Sequence, residues 1–201
     1  MKRMVFALTL LFVPAMEAAA NHPGERIDEV MTGREPAFEP TDRIRAPQLA
    51  LTDASGAAVQ IHDMKDKIVV LSFIPRTCGA PCAAQQALLR EVQESVNVTP
   101  MREMVVFLTA GTATDSGWDG TNWNRVAVEN GTAPAAASFA ALSERDRDVP
   151  MVHVIARGGR HAGIFHGAEF GRVNLVLYIN ELTRARLPER GLLDRVLGIF
   201  N

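Results

Sequence analysis

The run KIVVLSFI, Lys67 to Ile74, is continuous in β-branched and aromatic residues with no polar alternation, the pattern of a strand buried on both faces of a sheet. Such a strand needs helices over both faces. The chain supplies one at once, for AAQQALLREVQESV sets Leu88, Leu89, Val92 and Val96 on one stripe with Gln, Arg and Glu opposite. Between strand and helix, in PRTCGAPC, lie the only two cysteines, Cys78 and Cys82. The order of strand, cysteine turn and helix constrains the chain to the α/β class. It also places both thiols at the carboxyl end of a strand, where open α/β sheets carry their sites. There the partial positive charge of a helix amino terminus stabilises a thiolate.

Around this unit, APQLALTDASGAAVQIHDM reads as a β-hairpin turning at Asp53 to Gly56, and MVVFLTA, Met104 to Ala110, as a second buried strand. Gly111 to Asp148 is rich in Gly, Ala, Thr and Asp, with a short helix expected around Ala135 to Leu142. VPMVHVIARGGRHAGIFHG predicts two strands joined by a tight turn at Gly158 and Gly159, and Leu175 to Leu182 a helix. At 201 residues and 47% hydrophobic, the chain has material for one globular core. A net charge of −2 gives no broad attraction for nucleic acid.

The first 20 residues, MKRMVFALTLLFVPAMEAAA, have a basic start, an apolar stretch broken by Pro14 and a small-residue end at Ala18 to Ala20. That is a cleavable export signal, too short to span a bilayer. The mature chain is expected to begin near Asn21, in an oxidising compartment such as a bacterial periplasm. Residues 21–45, polar and interrupted by Pro, predict a mostly extended arm with one short helix around Ile27 to Met31. Residues 46–185 form the expected domain, and 186–201 a short C-terminal helix.

A disulfide between residues four apart closes too small a loop to constrain the unfolded chain much, so the thiol pair is read as functional. The hairpin and strand of residues 46–74, the C-x3-C turn with its helix, TNWN, and VHVIARGGRHAGIFHGAEFGRVNLVLYINELT together resemble the SCO/SenC family. Its members are thioredoxin-like, exported, copper-handling and thiol-redox proteins of cytochrome oxidase assembly. The resemblance implies a thioredoxin-like fold: a central mixed sheet, helices on both faces and an N-terminal β-hairpin extension. It also implies copper, as Cu(I) or Cu(II), on Cys78 and Cys82, and a protein partner that receives copper or bears a disulfide, such as an oxidase subunit. DVPM resembles the segment in which a cis-proline faces the cysteine turn, which makes Pro150 the candidate. The family's copper histidine is replaced, since Asp148 stands in its place, and CGAPC lacks the family's acidic loop residue.

A substitute ligand must come from elsewhere. A two-residue turn at Gly158 and Gly159 pairs Ile155 with Ala162, His153 with Ile164 and Met151 with His166, so Met151, His153 and His166 share one face and His161 the other. His153 is thus the candidate third metal ligand, although Val152, Val154 and Ile155 around it also describe a buried core strand. His22 and Met31 belong to the solvated arm, and His62 to the surface. Trp118 and Trp123, with Asp115 and Asp119, lie in a loop placed to border the cysteines or, for Trp123, to plug the core. Three functions follow: copper delivery or thiol redox in oxidase assembly through Cys78 and Cys82; metal-independent thiol–disulfide exchange, with Cys78 attacking and Cys82 resolving; or a non-catalytic assembly factor.

Overall fold

A computed structural model describes residues 23–113, 117–145 and 148–185; the expected export signal, the C-terminal helix of 186–201, His22 and Asp115 lie outside the described residues. One mixed sheet is built from β1 (Phe38–Pro40), β2 (Leu51–Asp53), β3 (Ala58–Val59), β4 (Ile68–Ile74), β5 (Val105–Gly111), β6 (Trp123–Val128), β7 (Met151–Ala156) and β8 (Arg160–His166). Their spatial order is β1-β8-β7-β4-β5-β6-β2-β3. The helices are α1 (Pro23–Arg34), α2 (Ala80–Asn97), α3 (Thr132–Ala140) and α4 (Arg172–Arg184).

The continuous apolar run of β4 serves two cores by alternation. Ile68 and Val70 point into a layer with α1, α2 and α4, whereas Val69, Leu71 and Phe73 point to the opposite face beneath α3. β4 is parallel to β5 and antiparallel to β7, so it is flanked on both edges and its carboxyl end opens in the middle of the sheet.

The arm differs from expectation. Residues 23–34 are a full helix packed on α4, and Phe38 to Pro40 form an edge strand on β8. Ile27 and Met31, one helical turn apart, form its whole apolar stripe, so Met31 is a core residue and not a solvated one. The Glu35 carboxylate fastens the turn that follows, accepting hydrogen bonds from Ala37 N, Gly171 N and Asn174 Nδ2, the second at the start of α4. Asp28 pairs with Arg43 at 2.8 Å.

β6 is a further strand, within a stretch whose composition suggested only loop and short helix. β5 reaches it through residues 112–122 without a helix among the described residues. Trp118 covers the sheet there, stacked on Trp123 at 5.1 Å and 6.0 Å from Phe107. Gln93 of α2 anchors this loop, bonding both Asp119 N and Asp119 O. The loop is thus held by the carboxyl half of α2, and neither tryptophan lines the cleft beside the cysteines.

A thiol pair between two clefts

Beyond Ile74 the chain turns at Pro75, whose carbonyl accepts the Cys78 N–H at 3.0 Å. Gly79 caps α2 with φ at 59°, a left-handed value that glycine adopts without strain. Pro81, in the first turn, leaves no N–H unsatisfied where no partner exists. This geometry holds Cys78 and Cys82 with Cα atoms 5.7 Å apart, joined as a disulfide. Cys82 is buried, 1% exposed, with Sγ 3.6 Å from the Phe73 carbonyl; Cys78 is half-buried at the surface. Cys78 is the sulfur that an incoming group can reach. Behind the pair, Gln86 Nε2 donates to Ser72 Oγ, Thr109 Oγ1 donates to Gln86 Oε1, and Trp123 Nε1 donates to Thr109 Oγ1, which locks α2 onto β4, β5 and β6.

A cleft of about 490 Å³ opens beside the disulfide, between the cysteine turn, α3 and the entry to β7. Its walls include Cys78, Cys82, Asp148, Pro150, Met151 and His153. Pro150 lies where the sequence places it, facing the cysteine turn, but its peptide bond is trans: the described chain has no cis peptide. His166 pairs with Met151 in register yet is turned to Glu39, 2.7 Å away, and does not line the cleft. His62 is exposed.

His161 is the main departure. β8 carries a bulge, so that Val154 pairs with Gly163 while Ile155 pairs with His161, and Ala162 is the extra residue. The one-residue slip turns His161 onto the face of His153, and the rings meet at 3.1 Å between His153 Nδ1 and His161 Nε2. Tyr178 Oη and Thr41 N approach the carbonyl of the bulged Ala162 at 2.9 and 3.3 Å.

The ring tautomers follow from Thr41. Its hydroxyl donates to the His161 carbonyl at 2.9 Å, so the same oxygen must accept from His161 Nδ1–H at 3.0 Å. Neutral His161 then presents a lone pair at Nε2, and His153 must donate from Nδ1–H. His153 Nε2 is left as a bare lone pair on a residue that lines the thiol cleft. Burial is the main cause that holds both rings neutral, pushing His153 well below the ordinary imidazole value, with His161 and His166 adding to the effect, and His161 down to about 4. Glu39 behaves oppositely: burial raises its pKa, but hydrogen bonds from Ser143, Glu144 N and His166 outweigh burial and hold it below the usual value.

Among the described residues no three His, Cys, Asp or Glu side chains are grouped closely enough to hold a metal ion. The donor types around the cleft nevertheless suit copper once the disulfide is reduced: two soft sulfurs and one imidazole nitrogen. Among the described residues no helix is long and apolar enough to cross a membrane.

No protein-family model matches the chain, and no curated protein does. Solved structures do. BsSco, a member of the Sco family of cytochrome c oxidase assembly proteins in which a disulfide switch was identified, superposes with a TM-score of 0.58 at 10% identity, over 74% of this chain and 99% of its own. A SCO1/SenC family lipoprotein from Bacillus anthracis gives 0.55 at 13% identity, over 72% and 97%. Yeast Sco1 with copper bound gives 0.56 at 11%, over 73% and 96%. At such identities the likeness is one of fold, and the fold of this chain is the thioredoxin-like α/β fold that these Sco proteins share.

Proposed function

We propose that this chain is an exported, Sco-like thiol protein whose Cys78–Cys82 pair cycles between a disulfide and a dithiol that carries copper, in service of cytochrome oxidase assembly. The observation that carries this reading is the pair itself: one reachable sulfur and one buried, at a strand-to-helix turn, opening on a cleft that also holds an imidazole lone pair. A disulfide persisting in an oxidising compartment agrees with the amino-terminal export signature. Reduction breaks the S–S bond, adds two electrons and yields the two thiolates that Cu(I) prefers. Cys78, Cys82 and His153 Nε2 are the ligands proposed, and reoxidation withdraws both sulfurs. The receiving partner is an oxidase subunit or another disulfide-bearing protein.

Anaerobic titration of the reduced chain with Cu(I) against a competing chelator tests this. About one Cu(I) per chain is expected, lost in the Cys78→Ser, Cys82→Ser variant. Equal uptake by both proteins would remove copper from the account. A second reading then stands, favoured by Asp148 at the place of the family's histidine: metal-independent exchange. Cys78 thiolate attacks a substrate disulfide, one substrate thiol leaves with a solvent proton, and Cys82 attacks Cys78 to release the second thiol and restore the S–S bond. Reduction of 2-hydroxyethyl disulfide by the dithiol form measures it.

A further inference from the structure

On the other side of the cysteine turn a second cavity of about 380 Å³ opens toward the end of β5, with Arg76, Gly79, Ala83, Arg90 and Thr112 among its lining. Arg76 and Arg90 are its charged residues; Arg76 is exposed and Arg90 half-buried. Among the described residues no carboxylate lines this cavity and neither guanidinium has an ion pair. α2 begins here without a side-chain cap and without an acidic residue in its first turn, so its positive end is not offset. The two sides of Cys78 thus differ in charge. Asp148 lies in the histidine cleft, whereas the charged side chains among the described residues of this groove are both arginines.

We propose that the groove formed by Arg76 and Arg90 receives an acidic segment, rich in Asp and Glu, of the protein whose cysteines exchange with Cys78. Arg76 stands two residues before Cys78, so a partner chain held by this groove brings its neighbouring sulfur to the reachable cysteine. Two unpaired guanidinium groups, each able to bind a carboxylate through two parallel N–H donors, match an acidic strand better than an apolar or basic one. The proposal rests on the thiol-exchange chemistry described above and names its partner.

The test uses the reduced full chain and synthetic peptides joined as disulfides through one cysteine, flanked by Asp and Glu, by Ser, or by Lys. Each rate is divided by that of the same protein with neutral 2-hydroxyethyl disulfide, because changing an arginine beside Cys78 alters its reactivity toward every substrate. At low salt the acidic peptide should react about tenfold or more faster than the Lys peptide, an effect of electrostatic steering. The ratio should approach one in about 1 M salt, where the Debye length is about 3 Å. Arg76→Glu with Arg90→Glu should reverse the order. Equal rates for the peptides, or a preference that survives the double reversal, would overturn the proposal while leaving the thiol chemistry intact. If no disulfide reacts, the thiol reading fails and binding decides the groove: a labelled acidic peptide with Ser for Cys should bind the oxidised chain saturably, and the double reversal should abolish it. Absent binding, or an oligonucleotide of equal charge competing as well as the acidic peptide, refutes the partner assigned here.

Discussion

A histidine in a core strand can be either a packing residue or a ligand, and at His153 both descriptions apply to different nitrogens. Nδ1 is committed to His161 within a buried layer that includes Phe73 and Phe139, and Nε2 is not committed at all. Nitrogen-15 NMR of the apo protein should therefore find His153 and His161 both protonated at Nδ1; an Nε2–H signal from either ring would break the Thr41 chain of inference. His153→Ala removes the donor to a buried nitrogen and leaves a void, for which about 1 to 3 kcal/mol of lost stability is expected in urea unfolding. The same variant should hold Cu(I) more weakly by tenfold or more, or about 1.4 kcal/mol, if Nε2 coordinates. Asp148 lies on the same cleft, so Asp148→His should strengthen Cu(II) binding, imidazole being the better copper ligand. An unchanged Cu(II) titration would mean that this backbone position does not face the sulfurs. That His153 and Met151 reach the cleft was legible from alternation; that His161 joins them was not, because one bulge cancels a register counted from the turn.

Among the elements, legibility followed burial pattern. β4, β5, α2, β7, β8 and α4 each carry a mostly apolar run or an amphipathic stripe, and each lies where the sequence placed it. α1 was obscured because its stripe is only Ile27 and Met31, and what secures it is tertiary: α4 beneath, Glu35 at its end, Asp28 on Arg43. β6 was obscured because its chain mixes Trp123 and Val126 with polar residues inside a glycine-rich stretch, and its other partner, β2, lies distant in sequence. The trans bond at Pro150 could not be read from DVPM, because proline permits both isomers. The end of β5 carries a sharper constraint. Gly111 has φ of 123°, and a Cβ there would lie 2.2 Å from the Ile74 carbonyl oxygen, which belongs to the last residue of the strand that delivers the cysteines. Gly111→Ala should cost at least about 2 kcal/mol, since backbone must move on one side or the other. Because the displaced strand end leads into the cysteine turn, the variant should also change the rate at which the disulfide is reduced by dithiothreitol. A variant as stable as the parent would show that this strand end is soft.

At the scale of the whole molecule, the buried histidines, Glu39 and Tyr178 make stability depend on pH on both sides of neutrality. Below pH 6.5 the unfolded chain binds protons on His153 and His161 that the native chain refuses, the latter down to about pH 4. Native stability is therefore complete above that range and is lost as the pH falls, by up to about 1.4 kcal/mol per pH unit for each ring. Glu39 extends the loss below its ordinary value of 4.5, because hydrogen bonds hold its native carboxyl ionised where the unfolded one takes a proton. Tyr178 gives the alkaline limb. Burial, with Asp28 2.8 Å from its hydroxyl, keeps it protonated above 10, so the native state holds a proton that the unfolded state has released and stability falls again. Urea midpoints should accordingly fall between pH 7 and pH 5. Replacing both rings, His153→Leu with His161→Leu, should flatten that interval, since a hydrogen-bonded buried pair exchanged for apolar groups of similar size changes stability little at neutral pH. A double variant that loses stability between pH 7 and pH 5 as steeply as the parent would place the acid sensitivity outside the histidine pair, and with it the claim that these rings stay neutral beside the thiols.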